Sequence, residues 1–298
     1  MTFTQLITVQ QLSEHLMDPS YRIIDCRFDL MDPSWGREEH EEFHIPGSTY
    51  AHLDEDLAGL RTPQTGRHPL PEIPEWIQTA SRLGIDRSKQ VVVYDGQGGA
   101  MAVRLWWLLR HYGHFAVALL DGGIGEWLRA GLPTQSGTEI IPRSNFTGSP
   151  NPQEFVTTDM MKQIYHDPDY LVIDARSAER YRGEAEPIDP VAGHIPGAVN
   201  RFHGLNLGTN GKFLPPDVLR QQFETLLKGY SPLHTVVYCG SGITSIHHLL
   251  AMEIAGLPGA RLYAGSWSEW IRDSANPIAL GEDNLDGTQK VDKENGII

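Results

Sequence analysis

A chain of 298 residues is long enough for two domains of ~100 to 200 residues, each with its own core. Its formal net charge is −14, with 24 Lys and Arg against 38 Asp and Glu, and neither half carries a basic stripe, so nucleic acid is excluded as an expected partner. No apolar run approaches the ~18 residues of a membrane span, residues 1–10 lack the basic start and apolar stretch of an export signal, and two cysteines make no disulfide framework; a cytoplasmic protein without membrane contact is expected.

From the N-terminus, residues 21–25 read as a short strand ending at Cys26 and Arg27, a setting in which Cys26 is a bystander in packing. Further short β-branched runs lie at 91–94 and 116–120, and a helical run lies between them at 101–111. Residues 131–152 are rich in Pro, Ser, Thr and Gly with little apolar periodicity, as at a domain joint. Strands alternating with helices predict an α/β fold with a mostly parallel central sheet in each half. The expected boundaries are 1–139 for the first domain, 140–156 for a linker, 157–281 for the second domain and 282–298 for a polar tail.

The second half repeats the first. Asp25-Cys26-Arg27 returns as Asp174-Ala175-Arg176, and His44-Ile45-Pro46-Gly47 as His194-Ile195-Pro196-Gly197. Val92-Val93-Tyr94-Asp95 returns as Val236-Val237-Tyr238-Cys239, and Gly125-Glu126-Trp127 matches Ser268-Glu269-Trp270. The displacements are 149, 150, 144 and 143 positions, so order and spacing are both kept. Solenoid repeats run ~20 to 50 residues; a period this long means two domains of one fold.

Where the first half has Asp95, the second has Cys239, at the end of the strand-like run 235–238 and before a helical run in which Ile246, Leu249, Leu250 and Ile254 recur until Gly256. Gly240 and Gly242 let the intervening backbone curl with its N–H groups inward, and those dipoles stabilise an anion such as a thiolate or persulfide. Two other chemistries fail on position. A Cys-x5-Arg phosphatase needs arginine at 245, which is Ser245, and a Gly-x-Ser-x-Gly hydrolase needs glycine two residues before Ser241, which is Cys239.

On the doubled Asp-x-Arg, the doubled His-Ile-Pro-Gly, the loop 239–244 and the segment Gly265-Ser266-Trp267-Ser268-Glu269-Trp270, the chain resembles the tandem-domain sulfurtransferases of the rhodanese superfamily. The resemblance implies an inactive N-terminal domain, a catalytic C-terminal one, and an active site between them. The neutral loop Cys239-Gly240-Ser241-Gly242-Ile243-Thr244 is similar to that of the 3-mercaptopyruvate sulfurtransferases, whereas thiosulfate-preferring members carry basic residues there. It implies that Ser241 joins His68 and Asp54, with Asp56 the alternative to Asp54, and that Gly240, Gly242, Ile243 and Thr244 line the substrate.

The resemblance also puts Arg180 on the donor's carboxylate, a task suited to bidentate hydrogen bonding. Arg176 reads as structural, because Arg27 occupies the same place in the half without a nucleophile. A second arginine, carried by many mercaptopyruvate enzymes in a Glu-Pro-Arg segment, is absent from Glu186-Pro187-Ile188-Asp189, leaving Arg182 or Arg201 to compensate. The expected reaction moves sulfane sulfur from a small-molecule donor to a thiol, cyanide or protein dithiol acceptor through a Cys239 persulfide, with no metal or organic cofactor. A thiosulfate:cyanide sulfurtransferase and a non-catalytic rhodanese-like binding module are the alternatives.

Overall fold

The computed structural model describes residues 2–282, so the expected polar tail lies outside the described residues except for Glu282. The first half runs β1 (Leu6–Ile7), α1 (Val9–Ser13), β2 (Tyr21–Asp25), α2 (Trp35–Glu42), β3 (Ser48–Tyr50), α3 (Leu53–Asp56), α4 (Ile73–Arg82), β4 (Gln90–Tyr94), α5 (Val103–His111), β5 (Val117–Leu120) and α6 (Gly123–Arg129). The second runs β6 (Phe155–Val156), α7 (Thr158–Ile164), β7 (Leu171–Asp174), α8 (Ala178–Arg182), β8 (Val199–Asn200), α9 (Pro216–Leu227), β9 (Thr235–Tyr238), α10 (Ile246–Ile254), β10 (Arg261–Tyr263) and α11 (Ser266–Trp270).

Each half is a five-stranded sheet, in the order β1-β5-β4-β2-β3 and β6-β10-β9-β7-β8, and every pairing is parallel. The central strands β4 and β9 are buried along their whole length, as strands covered on both faces by helices must be, which explains their unbroken Val-rich sequence. Phe155 and Val156, the last two residues of the expected linker, pair with Leu262 and Tyr263 and so belong to the second sheet. They are too short a run to announce a strand without the partner strand.

The repeated motifs brace the sheets. Arg27 grips Asp25 at 2.7 Å and the Phe43 carbonyl at 2.6 Å; Arg176 grips Asp174 at 2.6 Å and the Gly193 carbonyl at 2.7 Å. Both ion pairs are almost fully buried, so removing one partner would strand a charge in the core. The two His-Ile-Pro-Gly segments fasten the far end of each domain: His44 exchanges backbone hydrogen bonds with Gln135, and His194 with Ala279.

Helices α5 and α10 pack against each other, and one buried apolar cluster runs through both domains, including Leu105 and Trp106 on one side and Leu249, Leu250 and Met252 on the other. Polar ties close the joint: Arg110 holds Glu253 with bonds of 2.7 and 2.9 Å, His247 Nε2 meets the Gly98 carbonyl at 2.9 Å, and the Phe213 amide donates to Asp121 at 3.0 Å. The C-terminal ends of the parallel strands, where α/β folds collect their ligands, therefore face this joint through fixed loops.

Candidate active site

β9 delivers Cys239 to the C-terminal edge of the second sheet, and residues 239–245 turn there before α10 begins. The start of α11 takes the loop's outward carbonyls, with Trp267 donating to Cys239 at 3.0 Å and Ser268 to Gly240 at 2.9 Å. Gly242 has φ +75°, and a Cβ on it would stand 2.2 Å from the Ala264 carbonyl oxygen, so only glycine fits. A Cβ on Gly240 would reach within 2.7 Å of Arg67 Nη2, so its absence leaves room for that guanidinium.

Cys239 is 2% exposed. Burial pushes its thiol pKa up, but hydrogen bonds from the Thr244 and Ser245 hydroxyls and from the Ser241 and Ser245 amides outweigh burial and hold it below the ordinary thiol value. Cys26 is the opposite case. Burial, together with the carboxylates of Asp25, Asp95 and Asp56, drives its thiol well above the usual range.

The first half shows what this cradle is for. Asp95 sits where Cys239 does, and its carboxylate takes the amides of Gln97, Gly99 and Met101 at 2.8 Å and of Ala102 at 2.9 Å. An aspartate carboxylate fills the anion seat permanently in one domain, and a sulfur fills it in the other. The same wrapping delays α5 to Val103, past the expected start at 101.

Ser241, His68 and Asp54 form a chain across the domain joint. His68 Nδ1 lies 2.7 Å from Ser241 Oγ, and His68 Nε2 lies 3.0 Å from Asp54 Oδ1. Burial lowers the His68 pKa against the pull of Asp54, while hydrogen bonding to His68 lowers that of Asp54. Burial favours the neutral imidazole, and the tautomer that fits both contacts carries its proton on Nε2 toward the carboxylate and accepts from the serine at Nδ1. Asp56, the alternative, instead pairs with Arg82 and accepts from the His52 amide at 2.9 Å. The histidine segment is pinned to the other domain by the Gly66 amide on Glu269 at 3.3 Å and the Arg67 amide on Ser268 at 3.0 Å.

A cavity of about 190 Å³ holds Cys239, Gly240, Ser241, Ile243 and Thr244 together with His68, Arg67, Arg180 and Ile188. Arg180 enters it but is not free: it donates to Glu186 at 2.7 and 3.1 Å and to Asp189 at 3.3 Å. Arg176 also borders the cavity, although its hydrogen bonds are those of its first-half twin. Neither expected substitute for the second arginine is there. Arg182 pairs with Glu184 at the surface, and Arg201 lies in a buried network with Asn206, His248 and Gln222. The second cation is Arg67, from the other domain: one of its terminal nitrogens pairs with Asp189, the other faces Gly240, and its Nε is buried without a hydrogen-bond partner.

Sequence reasoning passed over Arg67 because it is one residue from His68 in a loop with no periodicity; its neighbour was taken and its charge ignored. It also passed over Arg104, fully buried on α5, which donates to the carbonyls of Leu57, His68, Pro69 and Gly242 and so locks the histidine segment to the cysteine loop. Arg104 as the single polar residue of the stretch 101–109 was the available signal. A larger cavity of about 770 Å³ also touches Arg67 and His68 but is lined by neither cysteine nor serine. Among the described residues no group of His, Cys, Asp and Glu is arranged to hold a metal ion, and no helix is long and apolar enough to cross a membrane.

Two parallel α/β domains with one cysteine loop between them define a class, and comparison with known proteins agrees. The rhodanese-like domain profile matches residues 8–130 and 157–273, and the chain belongs to the rhodanese-like domain family. It is 45% identical over 284 residues to a probable 3-mercaptopyruvate sulfurtransferase of Pseudomonas aeruginosa, covering 95% of this chain and 100% of that one. It is 34% identical to a putative thiosulfate sulfurtransferase of Mycobacterium tuberculosis, over 93% of this chain and 97% of that one. The crystal structure of SseA from Escherichia coli, described as a 3-mercaptopyruvate sulfotransferase, superposes with a TM-score of 0.77 at 31% identity, over 90% of this chain and all of that one. The chain is accordingly an enzyme of the sulfurtransferase kind.

Proposed function

We propose that this enzyme takes sulfur from 3-mercaptopyruvate onto Cys239. The observation that carries the reading is the Ser241-His68-Asp54 chain, which ends beside the cysteine loop at 2.7 and 3.0 Å separations and has no use if the site only holds an anion. The Cys239 thiolate attacks the donor sulfur, the carbon–sulfur bond breaks, and its electron pair leaves on carbon as the enolate of pyruvate. The donor's thiol proton ends on the methyl carbon of pyruvate, and Cys239 carries a persulfide. A serine hydroxyl backed by a neutral histidine and a carboxylate can polarise the keto oxygen and pass that proton.

Arg67 and Arg180 flank Gly240 from opposite domains and hold the donor's carboxylate, while Ile243 and Thr244 shape the floor; Gly242, expected to line the substrate, instead turns against the Ala264 carbonyl and does not border the cavity. In the second half-reaction cyanide, a small thiol or a protein dithiol removes the outer sulfur and restores the thiolate, giving ping-pong kinetics. The Mycobacterium tuberculosis relative keeps thiosulfate as the second reading. Side-by-side turnover of the purified protein with mercaptopyruvate and thiosulfate decides between them: a higher kcat/KM for mercaptopyruvate is expected, and preference for thiosulfate refutes the assignment.

A further inference from the structure

Between two of the pocket's three guanidiniums, those of Arg67 and Arg180, stands an acid that the mechanism does not use. We propose that Asp189 is a specificity-determining residue: its carboxylate, wedged between Arg67 and Arg180, sets the charge of the pocket so that a singly charged donor is accepted in preference to a doubly charged anion. The inference rests on the sulfur-transfer reading of the Cys239 cavity and adds what selects its donor.

The placement is built. The Asp189 side chain is 4% exposed, one oxygen pairs with Arg67, and the other lies 3.3 Å from Arg180 Nη2. Glu186 accepts the amides of Ile188 and Asp189 at 3.1 and 3.0 Å, so the turn that presents Asp189 is braced and the carboxylate is held against the guanidiniums of Arg67 and Arg180, which line the cavity. Comparison of the two halves separates these acids. Glu186 touches Arg176 at 3.3 Å as Glu39 touches Arg27 at 3.4 Å, so it has a counterpart in the domain without a nucleophile. Three residues beyond Glu39 stands Glu42, exposed at the end of α2. Asp189, three beyond Glu186, is turned inward instead and pairs across the domain joint.

The consequence is electrostatic. The three guanidiniums that line the cavity, of Arg67, Arg176 and Arg180, are matched by three carboxylates, of Asp189, Glu186 and Asp174, and Arg104, buried behind the loop on backbone carbonyls, is offset by the charge of the Cys239 thiolate. A ligand therefore meets oriented donors but little surplus positive charge. A monoanion such as mercaptopyruvate needs only the hydrogen bonds, whereas each further negative charge is repelled by a carboxylate a few ångströms away in a partly dry cavity. Thiosulfate and sulfate are such dianions.

Asp189→Asn, which keeps the shape and an acceptor for Arg67, should raise the ratio of thiosulfate to mercaptopyruvate kcat/KM about tenfold or more. Asp189→Glu should leave the ratio within about twofold of wild type. Ile188, 37% exposed on the cavity rim, offers an independent variant that leaves every Asp189 contact in place: Ile188→Lys adds the positive charge instead of removing the negative one and should move the ratio the same way, about threefold. Calorimetric titration with sulfate reads the same effect without turnover, with tighter binding expected in both charge-altering variants. A ratio and a sulfate affinity unmoved in Ile188→Lys, or both donors lost in parallel in Asp189→Asn with Ile188→Lys at the wild-type ratio, would overturn the proposal. A wild-type protein that forms no persulfide with mercaptopyruvate defeats the functional reading instead, and the sulfate titrations still decide the role of Asp189.

Discussion

Arg67 reaches the cysteine pocket from the opposite domain, and replacing it is the sharpest test of the site. Arg67→Gln removes a cation whose side chain is only 12% exposed and whose Nη2 faces Gly240. A hydrogen bond from a charged group to a carboxylate contributes ~1.5 to 3 kcal/mol, or about one to two orders of magnitude in kcat/KM. The substitution also leaves Asp189 with Arg180 as its remaining partner, which adds repulsion toward the donor. The loss should therefore fall mainly on the KM for mercaptopyruvate, since the Ser241-His68-Asp54 chain is untouched. Steady-state kinetics measure it, with circular dichroism confirming the fold, and Arg67→Lys should recover part of the loss. A KM within twofold of wild type in Arg67→Gln would refute the assignment of Arg67 to the donor's carboxylate.

Cys239→Ser should abolish turnover and the added mass of one sulfur after donor treatment, whereas Cys26→Ser keeps both; intact-protein mass spectrometry reads this directly. The same technique, following iodoacetamide alkylation against pH, should place the Cys239 inflection below that of a free thiol in the same buffer, because the loop's donors favour the thiolate over the thiol. Cys26 should stay unreacted throughout, its thiol being raised by burial and three carboxylates. Ser241→Ala and His68→Ala should each lower mercaptopyruvate turnover at least tenfold while sparing thiosulfate more, since only the former donor leaves an enolate that needs a proton; equal damage to both donors counts against the proton path.

Chemistry confined to a few neighbouring residues was legible in the amino-acid sequence. The repeat, the parallel α/β class and the loop from Cys239 to Thr244 all follow from short runs whose meaning is local: a buried Val-rich strand, two glycines, a helix start. That Arg176 is structural followed from its twin Arg27, and the matching grips on Asp174 and Asp25 supply the physical reason. What crosses the domain joint was not legible in spacing or composition; the family resemblance alone brought His68 and Asp54 to Ser241, and nothing brought Arg67 to Asp189. His68 and Ser241 are 173 positions apart, and Arg67 and Asp189 are 122 apart, so no spacing rule connects them. The choice between Asp54 and Asp56 turned on which face of the short α3 meets His68, and two carboxylates two residues apart look alike until the histidine is placed. The segment Glu186-Pro187-Ile188-Asp189 lacks an arginine and neither Arg182 nor Arg201 reaches the cavity, whereas Arg67, which faces Gly240, comes from the other domain. The sequence by itself singled out Cys239 and the loop that surrounds it, because strand, loop and helix start are contiguous; only the packing of α5 on α10 decided what faces that sulfur, because a pocket between two domains is made of residues that no local pattern brings together.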